Sequence, residues 1–210
     1  MRGVIAIDGP AASGKGTLAR RIADHLGRPH LDTGLLYRAV ARAMLDRNLV
    51  LTDDLAALEV AETLDLAGID EDRLRGAAMG EAASVVSVHV GVRQALLGIQ
   101  RRFAAQPGGA VLDGRDIGTV VCPEAEVKLF VTASPAERAR RRHRELEGRG
   151  ERLPYEDVLS DIRARDARDA ARSAAPMRAA EDAVVLDTTD LDQDAAFVRA
   201  LELVVARKAA

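Results

Sequence analysis

The sequence predicts an α/β fold, a doubly wound parallel sheet of five strands with helices on both faces, and three observations carry that expectation. Five short strand-like runs, at 4–7, 28–31, 110–112, 127–131 and 183–187, alternate with stretches whose apolar residues recur at spacings of three and four. That is the pattern of helices returning between parallel strands. The first run passes directly into Gly9-Pro10-Ala11-Ala12-Ser13-Gly14-Lys15-Gly16-Thr17 and then into a helical pattern through Leu18, Ile22 and Leu26. Third, a polar cluster, Asp113-Gly114-Arg115-Asp116, follows the run at 110–112, at the strand end where parallel sheets bind ligands.

Strand, Gly-rich loop and helix together make a phosphate-binding loop. Its glycines let backbone N–H groups converge on a polyphosphate, the helix N-terminus adds its positive dipole end, and Lys15 brings a compact charge to the outer phosphates. The chain has 27 Arg and 3 Lys, so a Lys at this position reflects chemistry more than composition. An ammonium acts as a point charge among phosphate oxygens, whereas a guanidinium is bulkier and forked. Gly16 stands where such loops usually place Ser or Thr, and the hydroxyl comes one residue later at Thr17. Magnesium is therefore expected to be held differently from a switch-type GTPase, with Thr17 its candidate ligand.

At 210 residues the chain suits one domain, alone or with small mobile appendages. A net charge of −3 argues against general affinity for nucleic acid or membranes. Aromatic residues, at 2%, are too few for a base-stacking platform. The lone Cys122 has no internal disulfide partner, no apolar stretch approaches a membrane span, and the N-terminus enters a strand without a signal peptide. A cytoplasmic location is the expectation. His25, His30, His89 and His143 are scattered without metal-ligand spacing.

After the first helix, Gly27 is placed as its C-cap, and the second strand ends at Asp32-Thr33-Gly34. A helix follows through Leu45, carrying Arg38 one turn in, so that Thr33 and Arg38 either face a common anion or serve as a cap and a solvated charge. Thr52-Asp53-Asp54 opens a helix to Leu64, its acidic residues suited to the N-terminal dipole end. The stretch 66–80 reads as a small excursion. One longer helix is expected from about Glu81 to Ala104, bent near Val90-Gly91 and carrying Ser84 and Arg93, until Gln106-Pro107-Gly108-Gly109 stops it.

After the strand at 127–131, Ser134-Pro135-Ala136-Glu137 is a capping box with Pro at the first helical position. Its helix holds Arg138, Arg140, Arg141, Arg142 and Arg144. Several of these are expected to be solvated beside Glu partners, while Arg138 and Arg142, four apart on one face, are candidates for phosphate or base contact. A helical arm from Pro154 carries Val158, Leu159 and Ile162 on an apolar stripe, and the same face continues into Arg165, Asp169 and Arg172. Those charges are expected to look inward, and Arg163 and Arg168, off the stripe, to be solvated. The last strand leads into a closing helix from Leu191 to Lys208.

Four blocks now stand in order: 9–17, Asp32-Thr33-Gly34-Leu35-Leu36-Tyr37-Arg38, Asp113-Gly114-Arg115-Asp116-Ile117-Gly118-Thr119-Val120-Val121, and Arg165-Asp166-Ala167-Arg168-Asp169. Together they resemble the bacterial cytidylate kinases over nearly the whole chain, and the block from Asp113 separates that branch from adenylate and guanylate kinases. The resemblance implies a single P-loop NTPase domain. Its core would span about 1–33, 105–135 and 180–210, its acceptor-binding part about 34–104, and its lid and helical arm about 136–175. It also implies transfer of the ATP γ-phosphoryl group to CMP or dCMP with magnesium, by a monomer without nucleic-acid or membrane partners.

Carried over residue by residue, the resemblance assigns Gly9, Pro10, Ala11, Ala12, Ser13, Gly14, Lys15, Gly16, Thr17 and Arg138 to ATP. Thr33 goes to the nucleotide sugar, Arg38 and Arg115 to the acceptor phosphate, Ser84, Arg93, Asp116 and Arg172 to cytosine, and Arg165 and Asp169 to ribose. Lys15, Arg115 and Arg142 become the catalytic set. The stretch 64–84 is shorter than the family's usual acceptor insert and has no convincing hairpin. Two other readings keep the phosphate loop: a kinase for a non-nucleotide acceptor such as shikimate or dephospho-coenzyme A, and a nucleotide-dependent switch without an acceptor.

Overall fold

The computed structural model describes residues 3–65 and 70–209. Its five strands are β1 (Ile5–Asp8), β2 (His30–Asp32), β3 (Val111–Gly114), β4 (Val127–Thr132) and β5 (Val184–Asp187). They pair in the order β2-β3-β1-β4-β5, all parallel, with Ile5 opposite Val111 on one side and Val127 on the other. Placing β1 at the centre explains its unbroken apolar run, since both its faces are covered. Ile5 and Ile7 pack against α1 (Lys15–Leu26) and α8 (Gln193–Ala209) through Leu18, Ile22, Ala200 and Val204. Val4 and Ala6 point the other way, into a core shared with Leu112, Ile117 and the end of α5 (Val90–Ala104). Helices therefore cover both faces, as the alternating pattern predicts.

The local signals land close to where the sequence puts them. Gly27 caps α1 in the left-handed conformation at φ 62°, its N–H reaching the Ala23 and Asp24 carbonyls. The helix α2 (Thr33–Asp46) is capped by Asp32, whose carboxylate accepts from the Gly34 N–H, and α3 (Asp54–Glu62) by Asp53. The helix α6 (Pro135–Gly148) begins as the capping box requires, with Ser134 accepting from the Glu137 N–H. Only half of the box forms. Glu137 turns to Arg140 and Arg141, and the Ser134 N–H donates to Thr189 Oγ1.

The single bent helix expected over 81–104 is two helices. The first, α4 (Ala77–Val86), starts four residues early, and α5 leaves it at 102°. The break is held from outside the segment: the His89 ring bonds the Asp54 carboxylate and, at 2.7 Å, the Leu51 carbonyl. Within the excursion, residues 66–69 lie outside those described, and 71–74 form one 3-10 turn. Helices α2, α3, α4 and α5 close around their own apolar core, which includes Met44, Val60, Val86 and Leu96.

The helix α6 packs on α7 (Tyr155–Ala171) through Ala139, Leu146, Val158 and Ile162. Arg138, expected at the donor phosphates, is 3% exposed, and its donors serve the framework. It pairs with both oxygens of Asp166, at 2.9 and 2.6 Å, and donates to the Ala133 and Ala11 carbonyls. Arg138→Met is expected to lower stability by about 2–3 kcal/mol, below the range for a fully buried pair because the Asp166 side chain is 25% exposed. Urea unfolding measures this. Unchanged stability together with a raised KM for ATP would return Arg138 to phosphate contact.

Candidate active site

Two clefts meet at the loop between β1 and α1. Gly9 is required there, because a Cβ would lie 2.0 Å from the Val131 carbonyl oxygen, and Gly14 opens α1 at φ 87°. The Lys15 ammonium donates to the Pro10 carbonyl at 3.4 Å. Burial and the nearby Arg115 guanidinium pull its pKa down from 10.5 to about 7, against the opposing pull of Asp113 and Asp32. Behind it Asp8, 4% exposed, accepts from the Ile117 and Gly118 N–H groups at 2.7 Å each. Burial still lifts its carboxyl to about 7. This carboxylate ties the phosphate loop to the turn after β3, where residues 117–121 form a π-helical turn that periodicity did not announce.

The first cleft lies between Lys15, α2, α4, the turn after β3 and α7. Thr33, Arg38, Ser84 and Arg93 line it from the acceptor side, and Arg115, Asp116, Arg165, Asp169 and Arg172 from the sheet edge and arm. All nine residues expected at the acceptor nucleotide are thus brought together. Arg93 bonds Asp116 Oδ2 at 2.6 Å and the Ser87 carbonyl at 3.2 Å, and lies 5.5 Å from the Tyr37 ring centre. Arg115 bonds Asp169 Oδ2 at 2.9 Å. Burial opposes the Asp169 charge, but Arg115 and Arg172 hold its carboxyl below the usual range. The Thr33 hydroxyl donates to the Asp113 carbonyl at 2.8 Å, and a Cβ on Gly114 would come within 2.6 Å of that hydroxyl. Glycine after Asp113 is therefore a packing requirement.

Where this cleft approaches the loop, Lys15, Arg38, Arg115, Arg142 and Arg165 line one recess with Ala11 and Ala12. Burial and Arg115 lower Arg165 to about 10, and burial lowers Arg38 with help from Arg142. Arg142 reaches the recess while bonding the Gly76 carbonyl at 2.8 Å and pairing at 2.9 Å with Glu145, the one carboxylate among the described residues lining the recess. Five convergent cations, with the ionisation of Lys15, Arg38 and Arg165 depressed, form a place suited to a polyanion.

The second cleft is lined by Ser13, Gly14, Thr17, Arg21, Arg141 and Thr188, among others. Ser13 Oγ is buried without a hydrogen-bond partner among the described residues. Arg141 spans the cleft floor, donating to the Ser13 and Thr188 carbonyls at 3.3 and 2.6 Å. Arg138 belongs to neither cleft. Sequence reasoning missed Arg141 and Thr188 here, and Asp32, Tyr37 and Ser87 in the first cleft. Only Asp32 and Tyr37, inside a quoted block, carried a signal. Arg163 is exposed as expected, but Arg168 is not free: it bonds Ser84 Oγ at 2.8 Å and Glu81 at 2.7 Å, because α4 docks beside α7.

A family model described as cytidylate kinase matches residues 5–205. A cytidylate kinase of Xanthobacter autotrophicus is 66% identical over 206 residues, covering 98% of this chain and 99% of that protein. Another from Methylocella silvestris is 63% identical, covering 96% and 93%. A solved gluconokinase from Sinorhizobium meliloti, 17% identical and covering 97% of this chain and 92% of its own, has a TM-score of 0.53 and shares the fold alone.

Proposed function

The chain belongs to the cytidylate kinase family, a kinase that takes the γ-phosphoryl group of ATP and gives it to CMP or dCMP, and we propose that its two clefts divide that work. The second cleft takes ATP, the first takes the acceptor nucleotide, and the cationic recess between them is the point of transfer. One observation carries the assignment: the nine acceptor residues, drawn from five segments of the chain, line one cavity that opens onto Lys15.

An acceptor phosphate monoester, with a second pKa of about 6, is mostly dianionic at neutral pH and needs no general base. The difficulty is repulsion between two polyanions. Lys15 and Arg142 hold the transferring group, Arg38 and Arg115 the acceptor phosphate, and the recess supplies charge already in position. Asp169 orients Arg115, and with Arg165 it reaches the ribose, while Thr33 takes a further sugar contact. Ser84, Arg93, Asp116 and Arg172 read the cytosine. Pro10, Gly16 and the rest of 9–17 wrap the donor phosphates.

Magnesium in such a site is carried by the nucleotide phosphates and touched by one or two carboxylates. Asp32 and Asp113 suit that contact. Both act on Lys15, and burial together with Asp113 raises the Asp32 carboxyl, a mutual repulsion that a cation relieves. Magnesium neutralises phosphate charge when bound. Thr17 lines the second cleft beside Arg141, and we assign it to the donor nucleotide and the magnesium that comes with it.

Separate apolar cores under the acceptor part and under the lid and arm support the division into core, acceptor part and lid. No described helix is by itself long and apolar enough to cross a membrane; a cytoplasmic monomer is our reading, and light scattering tests the oligomeric state. A coupled assay of ADP formation is expected to be nearly silent with ATP alone and to respond to CMP and dCMP. Equal rates without an acceptor would favour a switch, and a response to shikimate but not CMP a different kinase.

A further inference from the structure

Ser84 sits on α4 with its side chain in the wall of the acceptor cleft, and the residue is 5% exposed. A hydroxyl is by nature ambiguous in recognition, because it donates one hydrogen bond and accepts others. Read as a contact to the base, Ser84 would tolerate the ring N3 acceptor of cytosine and the N3–H donor of uracil about equally. Its surroundings remove that symmetry.

Arg168 lies on α7 and does not line the cleft. It reaches Ser84 from behind, donating from Nη1 to Ser84 Oγ at 2.8 Å, while its Nη2 pairs with Glu81 at 2.7 Å. Glu81 is three residues before Ser84 on α4, so the carboxylate and the hydroxyl are held by one planar guanidinium. A cation bonded to the oxygen turns the oxygen end of the O–H dipole toward itself and the hydrogen away. Among the described residues, Ser84 Oγ has no hydrogen bond to an acceptor. The side left for that hydrogen is the cleft.

We propose that Arg168 is a specificity-determining positioning residue: by occupying Ser84 Oγ it fixes the Ser84 hydroxyl as a donor toward the base, favouring the acceptor edge of cytosine over the N3–H of uracil. This rests on the reading that Ser84 contacts the acceptor base. Arg168 touches no substrate and acts only through the serine.

The test is kcat/KM for CMP and for UMP in wild type, Arg168→Met, Arg168→Lys, Ser84→Ala and the Arg168→Met/Ser84→Ala double variant, with thermal melts alongside. Met keeps most of the apolar stem without a donor, and Lys keeps a cationic donor. Arg168→Met is expected to narrow the CMP:UMP ratio by about tenfold, the worth of one hydrogen-bond mismatch. Arg168→Lys should retain most of the ratio. Ser84→Ala should narrow it similarly, and the double variant should narrow it no further, since both act through one hydroxyl. Equal losses for CMP and UMP in Arg168→Met, with Ser84→Ala narrowing the ratio, would reduce Arg168 to a brace between α4 and α7 and overturn this inference alone. An unchanged ratio in Ser84→Ala would overturn it together with the placement of the base at Ser84. ADP formation that does not depend on CMP in the wild type would instead overturn the proposed function itself.

Discussion

Lys15→Met is expected to cut turnover by about 10²- to 10³-fold, the usual loss when one preorganised electrostatic contact to a transition state is removed, and to raise the melting temperature of the ligand-free protein. The two effects share one cause. The Lys15 ammonium is held among Arg38, Arg115, Arg142 and Arg165, and burial with Arg115 pulls its pKa to about 7 from 10.5. Charge there is unfavourable until phosphate oxygens offset it. The unfolded chain binds this proton more tightly than the folded one, so between pH 7 and 10.5 wild-type stability gains a contribution as pH rises. Below pH 7 both states are protonated and the full penalty remains. Met carries neither penalty nor slope, and each kcal/mol relieved is worth about 2–4 °C in a chain of this size. Turnover, differential scanning calorimetry and urea unfolding between pH 7 and 9.5 measure all three. A variant with near-normal turnover, or one that melts lower than wild type, contradicts the assignment of Lys15 to the transferring phosphate.

Asp116→Asn carries the second large effect: kcat/KM for CMP is expected to fall by about 10²-fold, and the CMP:UMP ratio to shrink from at least about 10² to roughly 10. Cytosine presents an amino donor beside acceptors at N3 and O2, and uracil reverses the first two. Asp116 uses Oδ2 for Arg93 at 2.6 Å, which leaves Oδ1 to accept from the amino group while Arg93 and Arg172 face the acceptors. A uracil carbonyl there would meet a carboxylate, and its N3–H the donors on that side of the cleft, the Ser84 hydroxyl and the guanidinium groups. Each buried mismatch costs about 1–3 kcal/mol, and two of them set the hundredfold ratio. Asn presents either an acceptor or a donor, so it tolerates both bases and serves neither well. It also leaves Arg93, 8% exposed, without its charge partner, so a melt must accompany the kinetics. Equal use of CMP and UMP by the wild type would refute the cytosine assignment and leave the phosphate chemistry standing.

Much of this was legible in the chain because much of it is local. The glycine that ends α1, the serine and proline that begin α6, and the central strand followed by its loop all follow from φ preferences, capping and periodicity over a few residues. The arm was legible for the same reason. Val158 and Ile162 fix which face of α7 is buried, and Arg165, Asp169 and Arg172 continue that face into the cleft. Spacing within one helix settles such a question, since i, i+3 and i+4 positions share a side whatever the rest of the chain does.

The arginines separate what sequence settles from what it does not. Arg138 and Arg142 look equivalent in sequence, four apart on one helix, yet Arg138 is buried against Asp166 and two carbonyls, while Arg142, though paired with Glu145 and the Gly76 carbonyl, lines the cationic recess beside Lys15. Arg168 falls off the apolar stripe of α7 and reads as solvated, but α4 brings Glu81 and Ser84 to it. The break between α4 and α5 depends on Asp54 and Leu51, which lie 35 and 38 residues from His89. By itself, then, the sequence determined the parallel α/β sheet and the phosphate loop at its centre, and its resemblance to a family singled out nine residues that the fold brings into one cleft. Only the tertiary structure decided which guanidinium groups are spent on the framework and which remain for phosphate and base. A guanidinium satisfies whichever carboxylates and carbonyls come within about 3 Å, and those arrive on other elements that spacing along one helix does not locate.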